Sequence, residues 1–413
     1  MSNEEKLVRM LKYVSEHNDF YKKRIKEYGI TNPLDITQWP VLTRKELQEN
    51  RYNMFSDGYK SKYFNQQLRR QSSSGSTGMP VNVYWDYKDW YASNMCLWRK
   101  RLELHGIRPS DKYVLFTLSA FNMQNDDESV CYIKHSDNIL STNVSLIQSE
   151  KGYNKIIDII DDFKPKLLYI QPFILNKLIL AYRHTGRIPP KSLKYIESVG
   201  EILTSDLRRR SINLLDISIA NMYGSEEMNS IAYEHPDNYM YTLSDNVFLE
   251  IKHGQTGHYS CSGHAIITNL NNKAMPLIRY SQGDTLEIVP SKSPNVINPI
   301  IIKAIKGRIL DAIELPNGIE INPYCLLEVI SEVNNHTKDT IVDFRFIYHK
   351  CSNILECDLA INKAAWRESI CTIFESVLKR KLGSNIFVRT QIFRDANRER
   401  NISKRQLIEI QEN

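Results

Sequence analysis

From Tyr153 to Leu215 the chain alternates between helical and strand patterns, and this alternation restricts the fold more than any other feature. Tyr153 to Phe163 reads as a helix and Leu167 to Ile170 as a strand. Pro172 to Tyr182 reads as a second helix, Tyr195 to Val199 as a second strand, and Ser205 to Leu215 as a third helix capped by Thr204 or Ser205. Strands separated by helices imply a parallel sheet, because a parallel neighbour needs a crossover long enough to hold a helix. Upstream, Tyr113 to Leu118 predicts another strand. Asp86 to His105 predicts a helix closed by Gly106, with Trp90, Trp98 and Leu102 expected on its core-facing side. Glu4 to Tyr28 predicts one or two helices ending near Gly29.

After Tyr241 the periodicity changes. Val247, Leu249 and Ile251 alternate with Phe248, Glu250 and Lys252, turn signals follow at His253 to Gly257, and Ala265 to Asn269 and Thr285 to Val289 add short strands. This pattern predicts a small antiparallel sheet or barrel packed on the α/β part. Beyond Gly307-Arg308 a compact α+β segment is expected. It has a turn at Leu315 to Gly318, a helix near Leu326 to Glu332, strands near Asp343 to Tyr348 and Ile354 to Ala360, a helix near Ala364 to Lys381, and a basic tail.

At 413 residues and 42% hydrophobic, the chain has length for more than one domain and material for a sizeable core. Its net charge of +6 suits an anionic small ligand and is too small and too dispersed to argue for nucleic acid. The seven cysteines include no CxxC, so neither a disulfide framework nor a tetrahedral zinc site is expected, and most are read as buried thiols in a reducing cytoplasm. The charged N-terminus lacks an apolar core of signal-peptide length, and Leu167 to Tyr182, the most apolar stretch, is too interrupted to span a membrane. The sequence does not reveal an oligomeric state.

Ser72-Ser73-Ser74-Gly75-Ser76-Thr77-Gly78 is a short loop dense in hydroxyls and glycine, between a strand and the alternating Val81, Val83 and Trp85. Glycines let backbone N–H groups approach a ligand, and successive N–H groups form a concave anion site. This chemistry suits polyphosphate. No Lys-Ser/Thr follows Gly78, so the loop is not a Walker A motif. Downstream, Asn221-Met222-Tyr223-Gly224-Ser225-Glu226-Glu227 follows a predicted strand at Ile217 to Ala220, where α/β sheets bind ligands. Ile278-Arg279-Tyr280-Ser281-Gln282-Gly283-Asp284 offers a carboxylate beside a glycine turn, and Ile305 to Asp311 carries Gly307-Arg308.

The serine loop resembles the phosphate-binding loop of the adenylate-forming superfamily. Trp39-Pro40-Val41-Leu42-Thr43-Arg44-Lys45-Glu46-Leu47 ahead of it is similar to the phenylacetate–CoA ligase-like branch. The remaining motifs continue the resemblance in order over most of the chain, and their joint order is the strong signal. The resemblance implies a large N-terminal α/β domain (residues 1–306), with a parallel sheet and a small antiparallel β subdomain, and a small mobile α+β C-terminal domain (307–413). It also implies ATP, Mg2+ and CoA as ligands. Ser73, Ser74, Gly75, Ser76, Thr77 and Gly78 would hold phosphate, and Gly200, Glu201, Gly224, Ser225 and Glu226 would belong to the nucleotide site, with Glu226, standing where the family has threonine, open to sharing the metal instead. Tyr223 would stack on adenine, Asp284 would accept the ribose hydroxyls, and Arg308 would touch the nucleotide at the hinge. Glu227 would help to hold Mg2+, for which one carboxylate with phosphate oxygens and water suffices. Lys404 stands where the family places its adenylating lysine, with Ser403 in place of the usual glycine. With Glu227 and Thr77 it completes the implied catalytic set. Phe121, Asn122 and Met123 match the region that lines the acid pocket.

The function so implied is ATP-dependent activation of a carboxylic acid, aryl by family default, to an acyl-adenylate. Transfer to a thiol follows, with CoA first and a carrier protein or amine as alternatives. Two other readings stand beside it. One is an acyl-protein synthetase using Cys351, Cys357 or Cys371. The other is a non-catalytic nucleotide- or nucleic-acid-binding protein, motivated by Lys379-Arg380-Lys381 and Arg398 to Arg405.

Overall fold

A computed structural model of the chain describes residues 2–73, 80–117, 130–148, 150–252, 262–289, 300–308, 313–314, 320–321, 324–383, 387–393 and 407–412. The chain opens with helices α1 (Asn3–His17), α2 (Asp19–Glu27), α3 (Arg44–Glu49) and α4 (Tyr59–Phe64). Strands β1 (Arg69–Ser72) and β2 (Asn82–Trp85) precede α5 (Tyr87–His105). Next come β3 (Tyr113–Phe116), β4 (Tyr132–Ser136), β5 (Ile139–Thr142), α6 (Glu150–Phe163), β6 (Leu167–Ile170), α7 (Pro172–Thr185), β7 (Tyr195–Val199) and α8 (Ser205–Leu215). Strands then dominate: β8 (Ser218–Ser225), β9 (Asn229–Glu234), β10 (Met240–Thr242), β11 (Val247–Lys252), β12 (Ser262–Asn269), β13 (Tyr280–Ile288) and β14 (Ile301–Arg308). The remainder holds the short pair β15 (Ile313–Glu314) and β16 (Glu320–Ile321), α9 (Tyr324–Thr337), β17 (Ile341–His349), β18 (Ile354–Ile361), α10 (Ile370–Leu382), β19 (Phe387–Ile392) and β20 (Glu409–Gln411).

These elements form two compact units. The first joins Met1–Pro109 to Asn221–Ile309, and the second joins Ser110–Ala220 to Leu310–Asn413. In the first unit β9 to β14 pair antiparallel in the order β11-β12-β13-β14-β10-β9, with the end of β8 against β9. In the second, β5, β3, β6 and β7 run parallel, as the alternation requires, and β4 adds an antiparallel edge. Helix α7 buries Ile174, Leu175, Leu178 and Ile179 in the core of this layer, each worth about 1.5–3 kcal/mol of apolar burial. The C-terminal sheet, in the order β19-β18-β17-β20, builds its own core around Val329, Phe346, Leu359 and Phe374.

Several expectations change. Trp90 is half-buried and packs against the core as expected, but Trp98 is only half-buried and Leu102 is 48% exposed, and α5 fully buries Ser93, Cys96, Leu97 and Arg101. The two indoles lie against the guanidinium groups of Arg69 (4.0 Å) and Arg101 (4.2 Å), where a cation offsets partial exposure. The expected helix from Ala364 is a short 3-10 turn followed by α10, and Phe387–Ile392 and Glu409–Gln411 are strands where a tail was expected. Of the six cysteines described, only Cys96 and Cys357 are fully buried. No helix among the described residues is long and apolar enough to cross a membrane.

Candidate active site

The serine loop does join two strands, and its neck is built around Ser73. Arg69 pairs with Trp85 and Ser72 with Asn82, closing an antiparallel ladder below the loop. The Ser73 N–H donates to the Val81 carbonyl (2.9 Å), and the Ser73 Oγ accepts the Val81 N–H (2.8 Å). That oxygen also accepts Arg44 Nη2 at 3.0 Å. Both acceptor positions of the hydroxyl are then used, leaving its proton to donate. Ser74, Gly75, Ser76, Thr77 and Gly78 lie outside the described residues.

Arg44 is the link that the sequence reading gave no role. Thr43 and Glu46 form a capping box, which places Arg44 in the first turn of α3. From there its guanidinium reaches Ser73 through Nη2 and lies 3.5 Å from Glu227 Oε1 through Nη1. Glu227 is buried, and the Tyr280 hydroxyl donates to the same oxygen over 3.4 Å. Both contacts are long, so a buried carboxylate is held loosely. Among the described residues no group of three or more acids, histidines or cysteines could form a complete metal cage. The donor set around Glu227 thus fits a Mg2+ shared with phosphate and water rather than one caged by protein.

Tyr223, Gly224 and Ser225 were expected in a turn after a strand. They lie in β8 itself, because the ladder to β9 (Tyr223↔Ala232, Ser225↔Asn229) carries the strand to Ser225. The chain turns only at Glu226-Glu227-Met228, closed by the Met228 N–H on Ser225 Oγ (3.2 Å). Gly224 is required here, since a Cβ would collide with the Asn229 carbonyl. Glu226 accepts Gln71 Nε2 at 3.3 Å.

Gly283-Asp284 is likewise not a hairpin turn. It lies within β13, where the register against β12 shifts between His264 and Ile266 and Gly283 takes φ +92°. The glycine permits a bulge that keeps Gln282 and Asp284 both buried. The Tyr223 hydroxyl donates to Asp284 Oδ2 at 2.6 Å, and Gln282 Nε2 donates to Tyr223 Oη (2.8 Å) and to Asp284 Oδ2 (2.6 Å). Two motifs about sixty residues apart thus meet in one buried polar cluster.

The other candidates fall on separate elements. Gly200 and Glu201 follow β7 in the second unit. Gly200 has φ +77°, and the Glu201 carboxylate accepts the Phe173 N–H (3.1 Å) in the first turn of α7, an anionic helix-start contact. Arg308 is the last residue of β14, with its backbone opposite Asp284. Phe121, Asn122, Met123 and Lys404 lie outside the described residues, as does the turn at 315–318, although β15 and β16 pair antiparallel on either side of it.

The rival chemistries find little support. Burial pushes the Cys357 thiol well up, and it does the same to Cys371, opposite to what a nucleophile needs. Lys379, Arg380 and Lys381 at the end of α10 are paired with Glu375, Glu332 and Glu328 rather than offered to a polyanion.

Known proteins resemble this chain in sequence and in fold. No protein-family profile matches the chain. It is 25% identical over 305 residues to a phenylacetate–coenzyme A ligase of Thermus thermophilus, a match covering 68% of this chain and 64% of that protein. It is 24% identical over 353 residues to a phenylacetate–coenzyme A ligase of Pseudomonas putida, covering 80% and 74%. The match thus spans slightly less than two thirds of the Thermus protein. A solved 2-hydroxyisobutyryl-CoA ligase, in the postadenylation state with 2-HIB-AMP bound, superposes with TM-score 0.77 at 17% identity, covering 99% of this chain and 89% of that one. The fold is therefore that of the adenylate-forming CoA ligases, and in sequence the chain is similar to the two phenylacetate–coenzyme A ligases.

Proposed function

We propose that this protein is an AMP-forming acid–thiol ligase that activates a carboxylic acid with ATP and passes the acyl group to CoA. The observation that carries the proposal is the buried Tyr223–Gln282–Asp284 cluster, in the same unit as Glu227 and the Ser73 loop neck. It joins the residues that the resemblance assigns to adenine and ribose. The two phenylacetate–coenzyme A ligases support the same reading.

In the first half-reaction a carboxylate oxygen attacks the α-phosphorus of ATP. The new O–P bond forms as the bond to pyrophosphate breaks. Positioning and charge neutralisation supply most of the rate. Tyr223 orients the base, Asp284 accepts from the ribose, and the 72–78 loop offers N–H and O–H donors to the phosphates. Mg2+, when bound, neutralises phosphate charge, and Glu227 is the residue that would hold it. Lys404 bridges the carboxylate and the nucleotide. In the second half-reaction the CoA sulfur attacks the acyl carbon, a C–S bond forms and AMP leaves. Residues 307–413 act as the lid, rotating at Gly307-Arg308 between the two steps. An aryl acid entering past Phe121, Asn122 and Met123 is the substrate class we favour.

ATP–pyrophosphate exchange across a panel of aryl and alkyl carboxylic acids tests this. Exchange should appear only with a suitable acid, and AMP should accumulate once CoA is added. Release of ADP and phosphate instead would overturn the adenylate mechanism.

A further inference from the structure

Gln282 is buried to 6% exposure, yet its amide is only half used. Both of its recorded hydrogen bonds leave from Nε2, towards Tyr223 Oη and Asp284 Oδ2. Its Oε1 is sealed from solvent and meets no donor among the described residues. Rotating the amide does not repair this, because an oxygen would then face the Asp284 carboxylate at 2.6 Å. A buried acceptor without a donor is costly, and such atoms persist where a ligand completes them. The alternation of β13 puts Tyr280, Gln282 and Asp284 in successive buried positions, where they meet Glu227 and Tyr223. The amide that carries the orphan oxygen is therefore bonded, through its nitrogen, to the carboxylate that the nucleotide reading assigns to the sugar.

We infer that Gln282 is a specificity-determining residue whose Oε1 accepts one hydroxyl of the nucleotide's ribose while Asp284 accepts the other. A cis-diol presents two donors side by side, and an amide oxygen and a carboxylate on neighbouring buried positions offer two matching acceptors. The division of labour is chemical. The carboxylate makes the stronger, charge-assisted bond, and the amide oxygen reads the second hydroxyl without adding negative charge near the phosphates. The inference rests on the ATP-binding proposal above.

The test is calorimetric binding to the full chain of ATP, 2′-deoxyATP and 3′-deoxyATP with Mg2+, with no acid present. The wild-type protein should bind each deoxy analogue about tenfold or more weakly than ATP, the loss expected for one hydrogen bond to a buried group. In Gln282→Leu, and in the smaller Gln282→Thr, one analogue should lose its penalty while the other keeps it. A wild type that penalises only one analogue overturns the inference without any variant. So does a folded variant in which both penalties survive or both vanish, since Gln282 would then only brace Tyr223 and Asp284. If ATP itself fails to bind the wild type, the nucleotide proposal falls, which is a distinct result.

Discussion

Two polar clusters adjoin the β8–β9 strand pair, and they are satisfied to different degrees. In one, Asn246 is fully buried and uses its whole amide. Its Oδ1 accepts Ser93 Oγ (2.7 Å) and Asn271 Nδ2 (2.9 Å), and its Nδ2 donates to the carbonyls of Met228 (3.0 Å) and Ser230 (2.6 Å). Asn229 continues the network, donating to Ser93 Oγ (2.9 Å) and accepting from Gln71 (3.1 Å). In the other, Gln282 is buried almost as deeply and leaves its oxygen without a donor. A saturated buried network fixes one arrangement of the backbone, whereas an incomplete one keeps an unmet demand that binding can satisfy. Asn246 thus holds the backbone around the 225–229 turn, and Gln282 is the residue that the ribose proposal above places against the ligand.

Asn246→Ala should show the largest effect and should fall on stability. It strands two backbone carbonyls and Ser93 and opens a cavity, which we expect to cost about 3–5 kcal/mol. Chemical denaturation should read that loss, and a change under 1 kcal/mol would break the contrast with Gln282. Lys404→Ala should do the reverse. The adenylation barrier should rise by about 2.7–4 kcal/mol with little loss of folded stability. The variant should still convert a supplied acyl-adenylate and CoA to thioester. An equal fall in both half-reactions would shift the assignment to Arg400 or Arg405.

Asp284→Ala comes next. It removes a charge-assisted acceptor from the ribose, so ATP affinity should drop by about 1.5–3 kcal/mol. Isothermal titration is the readout, and unchanged affinity in a folded variant would remove Asp284 from the site.

The sequence revealed most where the causes are local. The bounds of β6, β7 and α8 agree with their periodicity and caps, because the residues that start and stop them are adjacent in the chain. The nucleotide motifs were recognised as segments, but their conformations were misjudged where distant partners decide. Tyr223 to Ser225 looks like a turn until Ala232 and Asn229 pair with it, and Gly283-Asp284 looks like a hairpin until the β12 ladder runs past it. The face of α5 was misassigned in part, for a related reason. Its large aromatics find guanidinium partners, so the small Ser93 and Cys96 can face inward and bring the helix close to the Asn246 network. Arg44 carried a readable sign, the Thr43–Glu46 capping box, but its bond to Ser73 and its approach to Glu227 are tertiary facts.

The smallest expected effect concerns the scaffold side of the comparison. Asp86 caps α5, the helix that delivers Ser93, through the Lys88 N–H (3.0 Å) and accepts Lys62 Nζ at 2.7 Å. The Lys62 hydrogen bond, with the cap bond behind it, holds the Asp86 carboxyl below its usual range. A carboxylate with a depressed folded pKa adds stability that is present above its unfolded value, near 4, and is lost as pH falls through the folded value. Asp86→Ala should therefore cost about 1 kcal/mol at neutral pH, as caps do, and the gap to wild type should close only below about pH 4. Denaturant midpoints for both proteins at pH 7 and pH 3 measure it. A gap that persists unchanged at pH 3 would mean that Asp86 acts through packing rather than charge, and that the ordering of α5 against the Asn246 network does not depend on its cap.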